Sequence, residues 1–237
     1  MNNACDLILI RHEEAEGNVA MAKSKFRGDE SFFTPELRAK QSDRWRLTTR
    51  GWERCDIIRG WLEKHIPIGD GFRLITSPSV RAVETASLVN PVSPWKEDEL
   101  VRGRIWGGVE CIPWSEWPGF CKVPSHKLLP SGFHQAYPNG EAMVEVWKRT
   151  REFINSLDGN AVVVTHGEVL LMARILLESV PESEYHLLEQ NGNHVRNGQV
   201  VWYSKRDPDT GDLSQEFSFR RMLFDGIDTG WFNLTPR

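Results

Sequence analysis

The chain has 237 residues, 40% hydrophobic and 26% charged, the composition of an ordinary globular protein rather than a disordered or fibrous one. A net charge of -4 argues against a general nucleic-acid binder, and no apolar run approaches a membrane span or a signal-peptide core, so a cytoplasmic location is expected. The length suits one α/β domain over residues 1–237 with insertions.

Leu7-Ile8-Leu9-Ile10 is an unbroken apolar run, the pattern of a strand buried on both faces of a sheet. It stops at Arg11-His12, followed by Glu13, Glu14, Glu16 and Asn18. In open α/β sheets ligands bind beyond the carboxyl ends of the strands, so the run aims a cationic pair at the expected site. Residues 13–46 are polar and charged, with aromatics at Phe26, Phe32, Phe33 and Trp45, and read as a loop with short helical pieces. Thr48 or Thr49 caps a helix over residues 51–64, whose stripe is Trp52, Cys55, Ile58, Trp61 and Leu62. A strand over residues 72–76 ends in Ser77-Pro78-Ser79, and Arg81 falls in the first turn of the helix that follows.

Residues 106–138 lack a clean period of either kind. They carry Trp106, Trp114, Trp117, Phe120, Phe133 and Tyr137 among prolines and glycines, and read as an insertion lying over the mouth of the site. A helix is expected over residues 141–154. Ala161-Val162-Val163-Val164-Thr165 then repeats the opening pattern, ending in His166-Gly167-Glu168 before an apolar helix over residues 169–177. Residues 199–204 and 215–223 read as two strands across an Asp207-Pro208-Asp209-Thr210-Gly211 turn. The tail, with Trp231 and Phe232, either packs back on the sheet or contacts a second subunit in a homodimer. Strand and helix alternate as in a parallel sheet with helices on both faces. The four cysteines, Cys5, Cys55, Cys111 and Cys121, form no Cys-x-x-Cys pair and read as reduced thiols. Cys121, His126 and His134 lack the spacing of a ligand set, so neither a metal nor a cofactor is expected.

Strand ends that deliver arginine, histidine and helix starts to one edge suit a phosphoryl group. The ordered motifs Arg11-His12-Glu13-Glu14 with Asn18, Leu47-Thr48-Thr49-Arg50-Gly51, Ser77-Pro78-Ser79-Val80-Arg81, Pro138-Asn139-Gly140-Glu141 and Thr165-His166-Gly167-Glu168 resemble the histidine phosphatases, the phosphoglycerate mutase-like superfamily. The resemblance spans about residues 5–204. It implies a three-layer α/β/α sandwich with a mostly parallel central sheet. It implies His12 as the nucleophile that becomes phosphohistidine, with Arg11, Asn18, Arg81 and His166 around the phosphoryl oxygens.

Two departures from the family pattern stand out. The family supplies a carboxylic acid from Leu-x-Glu-Arg followed by an aromatic and glycine. Here Val101-Arg102-Gly103-Arg104-Ile105-Trp106-Gly107 puts Gly103 at that place, while Glu13 replaces the glycine after the nucleophile. Glu13 is a candidate replacement acid. Glu99, Glu110 and Glu168 are others, and a good leaving group would need none.

The leading expectation is a metal-independent phosphomonoesterase of the histidine acid phosphatase type. It would act on a small phosphorylated metabolite or bind inorganic phosphate, with no nucleic-acid or membrane partner. The alternatives are a mutase of the phosphoglycerate type and a phosphoryl-ligand binder that no longer hydrolyses.

Overall fold

The computed structural model describes residues 4–66, 71–120, 133–181, 184–185 and 195–235. Cys121, His126 and the middle of the 106–138 insertion lie outside them. In chain order the elements begin β1 (Asp6–Arg11), α1 (Glu16–Arg27), α2 (Pro35–Ala39), α3 (Thr49–His65), β2 (Phe72–Thr76), α4 (Val80–Val89) and β3 (Lys96–Glu97). They continue α5 (Met143–Asn155), β4 (Asn160–Thr165), α6 (Gly167–Leu177), β5 (Val200–Ser204), β6 (Phe219–Phe224) and β7 (Ile227–Asn233).

The four apolar residues of β1 are almost wholly buried. A strand so enclosed must find all its backbone partners inside the protein. It does so on both sides: Leu9 lies opposite Val163 of β4 in parallel pairing and opposite Val201 of β5 in antiparallel pairing. The sheet order is β3-β2-β4-β1-β5-β6-β7. The pairings from β3 to β1 are parallel, and those from β1 to β7 are antiparallel. This is a mixed sheet in which only β5 and β7 run against the rest.

The period of two along the strands sorts the core into halves. Leu7, Leu9, Ala161, Val163, Val201 and Tyr203 pack with α5 and α6 on one face. Ile8, Ile10, Val162, Val164 and Val200 pack with α3 and α4 on the other. Three layers result, as the resemblance implies. The cap of α3 is Thr48, whose Oγ1 accepts from Gly51 N at 3.0 Å.

Some elements differ from the expectations. α1 is a twelve-residue helix in what reads as a polar excursion. Its buried positions are Gly17, Ala20 and Ser24, small residues that leave no apolar stripe to detect. α5 starts at Met143 rather than at residue 141, because the Glu145 carboxylate reaches back to accept from Ala142 N and fixes the start there. The two-residue β3 carries no strand pattern. The tail does pack back: β7 lines β6, with Trp231 edge-on against Trp202 at 4.6 Å between ring centroids.

The two irregular stretches fold onto each other. Val109, Trp117 and Tyr137 form a small core with Trp106, Ile112, Trp114 and Met21 of α1. Trp114 N donates to Ser24 Oγ at 2.8 Å, and Arg38 of α2 pairs with Glu116 at 3.0 Å. No helix among the described residues is long and apolar enough to cross a membrane.

Glu141 fastens this insertion to the sheet side. Its carboxylate accepts from Arg102 at 3.0 and 3.1 Å and from Arg149 of α5 at 3.0 Å. Burial alone would raise the Glu141 pKa, but the bonds and charge of Arg149, then Arg102, outweigh it and lower the value. Replacing Glu141 with Ala strands two arginines, and breaking a buried pair from one side costs about 3–5 kcal/mol. The melting temperature of Glu141→Ala is therefore expected to fall sharply near neutral pH. The gap to wild type closes as the pH drops through the Glu141 pKa, since a depressed carboxylate stabilises only while ionised. A gap that persists unchanged in acid contradicts this assignment.

Candidate active site

β1, β2 and β4 end at the same edge. Arg11 is opposite Thr165 and Thr76 is opposite Val164. The chain leaves the sheet there in step: His12 N donates to Thr165 O and Ser77 N to Val164 O, each at 2.9 Å. His12, Ser77 and His166 thus emerge side by side.

The hydrogen bonds assign both imidazole tautomers. His12 Nδ1 lies 2.7 Å from Glu13 O, a carbonyl that can only accept, so Nδ1 carries the proton. The other nitrogen, Nε2, accepts from Arg81 Nε at 3.0 Å. Arg81 Nη2 lies 3.2 Å from His166 Nδ1, which must accept in turn. His166 Nε2 then donates to Ser77 Oγ at 2.8 Å. The two rings stand edge to face, 5.0 Å between centroids. One guanidinium bridges two neutral imidazoles.

The electrostatics agree. Burial, then the charges of Arg81 and Arg11, hold the His12 pKa well below the usual imidazole value, against the pull of its bond to the Glu13 backbone. Burial, Arg81, His12 and Arg11 do the same to His166. Burial brings Arg81 itself down to about 10. Its Nη1 donates to Ser42 O, and its plane faces Trp45 at 5.9 Å. Arg11 is half-buried; its Nη1 donates to Val195 O, while its buried Nε has no partner among the described residues. Gly167 lies directly against it, since a Cβ there would stand 3.5 Å from Arg11 Nε.

Asn18 joins the group from α1. Its Oδ1 accepts from Ala15 N at 3.0 Å and Asn197 Nδ2 at 3.1 Å, which leaves its amide nitrogen as the donor for a ligand. Asn197 Nδ2 also reaches His12 O at 3.2 Å and Glu13 O at 3.3 Å, and Gly198 N donates to His12 O at 3.3 Å. This backbone clamp is absent from the sequence reading. No local signal ties residue 197 to residue 12.

The structure therefore brings together Arg11, His12, Asn18, Arg81 and His166. Glu13 is different. Its carboxylate is buried and turned to Arg54 of α3, whose Nε donates to Oε1 and Oε2 at 3.2 and 3.3 Å. Oε2 also accepts from Glu14 N at 3.0 Å. It rests on Gly198, where any Cβ would overlap its Oε1. Burial raises the Glu13 pKa against the pull of Arg54. Glu13 is thus held as a counter-ion, and its described bonds do not reach the His12 ring. This geometry speaks against the replacement-acid expectation, and the reason is the arginine, which sequence order does not reveal.

The family model of the histidine phosphatase superfamily, branch 1, matches residues 7–206. The chain belongs to this superfamily. Among solved structures, this histidine phosphatase is similar to a mycobacterial glucosyl-3-phosphoglycerate phosphatase, at 18% identity and a TM-score of 0.64 over 86% of this chain and 91% of the other. It is similar to a putative alpha-ribazole-5'-P phosphatase from Escherichia coli, at 20% identity and 0.62, over 91% and 97%. It is also similar to a phosphoserine phosphatase from Entamoeba histolytica, at 16% and 0.61, over 84% and 90%. No curated protein matches the sequence. These structural likenesses concern the fold.

At the family acid position, Gly103 packs on the second histidine. A Cβ there would stand 3.1 Å from His166 Nδ1 and 3.2 Å from its Cε1. Thr165 Oγ1 donates to Val101 O at 2.6 Å and holds this loop close. A carboxylate side chain at 103 would have to move the imidazole.

Two buried, neutral histidines have a cost in acid. The unfolded chain takes up protons below the ordinary imidazole value of 6.5, while the folded protein resists them. Their contribution to stability is thus greatest above that value and falls as the pH drops below it. His166→Asn removes one such titration. Its unfolding free energy, from denaturant titrations at several pH values down to about 5, is expected to fall less steeply than wild type. Identical slopes would argue against a neutral buried His166.

Proposed function

We propose that the protein is a phosphomonoesterase that hydrolyses a small phosphorylated metabolite through a phosphohistidine on His12. The observation that carries this reading is the tautomer of His12, with Nδ1 committed to Glu13 O and Nε2 left as a lone pair facing Arg81. An unprotonated ring nitrogen is what nucleophilic attack on phosphorus requires. Nε2 bonds to phosphorus as the ester P–O bond breaks, and water then attacks phosphorus, breaks the P–N bond and releases phosphate.

Arg81 and Arg11 meet the negative charge. Arg81 Nε exchanges the imidazole lone pair for a phosphoryl oxygen, and the unpartnered Arg11 Nε gains an acceptor. His166 donates or accepts beside them, and the Asn18 amide adds a neutral donor. Donors fixed before the reaction stabilise developing charge without reorganising. Because two half-buried guanidiniums would already face the anion, we also propose that no metal is needed. Ser42 and Trp45 stand beside Arg81, with Glu110 bonded to Ser42 Oγ, and this is the surface on which the leaving group would lie.

The second reading is a phosphoryl-ligand binder without turnover. It is favoured by Gly103 packed against His166 and by Glu13 held on Arg54.

The test is release of phosphate from p-nitrophenyl phosphate and from a panel of phosphorylated metabolites. His12→Ala is expected to abolish it, and Arg11→Ala and His166→Ala to cost about 10²-fold or more each, the scale of losing one charge-stabilising donor. Acid-labile, base-stable phosphate is expected on wild type and absent from His12→Ala. EDTA is expected to leave the rate unchanged. Tight phosphate binding without any release would favour the binder. Activity lost to EDTA and restored by one divalent ion would end the metal-free proposal.

A further inference from the structure

With the family acid position closed, each remaining carboxylate near the pocket can be asked whether it could protonate a leaving group. Glu13 is spent on Arg54 and Glu14 N. Glu99 is largely exposed, with 77% of its side chain accessible, and lies within ion-pair reach of Arg102. Glu110 lies on the Arg81 side, but its Oε1 is taken by Ser42 Oγ. Glu141 is enclosed by Arg102 and Arg149.

Glu168 is left. It sits in the first turn of α6, two residues after His166. The intervening Gly167 lies against the Arg11 guanidinium, so α6 starts on the wall of the pocket. Glu168 is half-buried and makes no hydrogen bond or ion pair among the described residues. Its charge acts on Arg11 and Arg81, and also on Arg149. A side chain so placed is near the phosphoryl site yet uncommitted.

We propose that Glu168 is the general acid and base of this enzyme, taking the role that position 103 cannot fill. This rests on the phosphatase reading above. In the first half-reaction the Glu168 carboxyl gives its proton to the leaving oxygen as the P–O bond breaks and His12 Nε2 bonds to phosphorus. The alcohol departs and Glu168 is left ionised. In the second, the carboxylate takes a proton from the water that attacks phosphorus. The P–N bond breaks, phosphate leaves, and His12 and Glu168 return to their starting states.

The experiment compares wild type with Glu168→Gln, Glu168→Asp, Glu110→Gln and Glu13→Gln on β-glycerol phosphate and on p-nitrophenyl phosphate. A positioned acid is worth about 10²–10⁴-fold for a poor leaving group and much less for an aryl oxide. Glu168→Gln is therefore expected to lose about 10²-fold or more on the alkyl ester and under about tenfold on the aryl ester. Glu168→Asp, which still carries a proton, is expected to recover part of the alkyl activity. Glu110→Gln and Glu13→Gln are expected to change both substrates alike. Equal losses on both esters in Glu168→Gln would mean that Glu168 acts only as a counter-charge, and would overturn the proposal. So would a leaving-group-dependent loss in Glu110→Gln or Glu13→Gln with none in Glu168→Gln. If wild type releases phosphate from neither ester, the phosphatase reading fails and the assignment falls with it. Wild-type activity with equal losses in Glu168→Gln overturns the assignment alone.

Discussion

The site depends on one half-buried cation held between two uncharged rings. Arg81 touches His12 Nε2 and His166 Nδ1, and no described carboxylate lies within bonding reach of its guanidinium. A guanidinium cannot accept a hydrogen bond, so its presence dictates where the protons on both imidazoles must be. It also repels a proton from either ring. Burial and this charge act in the same direction on His12 and His166, and His12 Nε2 is kept unprotonated without a dedicated base. The low dielectric that makes the arrangement expensive when empty strengthens every contact to an anion that fills it.

The rest of the fold fixes three backbone segments against that cation. Parallel pairing of β1 with β4 and of β4 with β2 sets His12, His166 and Ser77 level with one another. The Asn197 amide and Gly198 N hold the His12 carbonyl, so His12 is clamped from the segment before β5. The Glu141 carboxylate holds Arg102 beside Gly103, and Thr165 ties the same loop to the end of β4. Each clamp joins residues far apart in the chain, and none belongs to the pocket wall itself.

This division explains what the sequence makes legible. Strands buried on both faces write themselves as runs such as Leu7-Ile8-Leu9-Ile10, and their ends advertise Arg11-His12 and His166. The helix over residues 51–64 shows in its stripe and in Thr48. The clamps do not show, because their partners are remote: nothing near Glu13 announces Arg54, and nothing near His12 announces Asn197. α1 hides for a different reason, since Gly17 lies so close to the Trp45 ring that only a small residue fits, and small residues carry no hydrophobic period. The insertion built on Trp106, Trp117 and Tyr137 is a cluster of rings rather than a repeat, so composition marks it but period cannot place it.

The contact between Glu13 and Gly198 also constrains the order in which this protein could have acquired its residues. A side chain at 198 and a glutamate at 13 would occupy the same space, and Gly198 sits at a φ of +68°, where L side chains are strained as well. Glycine at 198 is therefore permissive: it had to be in place before, or arrive with, the glutamate. Arg54 enters the same sequence, because a buried carboxylate without a cation carries a large desolvation penalty. A chain with glycine at 13 could carry Gly198 and Arg54 at little expense, whereas a chain with Glu13 cannot easily lose either. Three positions spread over the length of the chain thus depend on one another in order: Gly198 and Arg54 are held as long as Glu13 is present, and are released once it is lost.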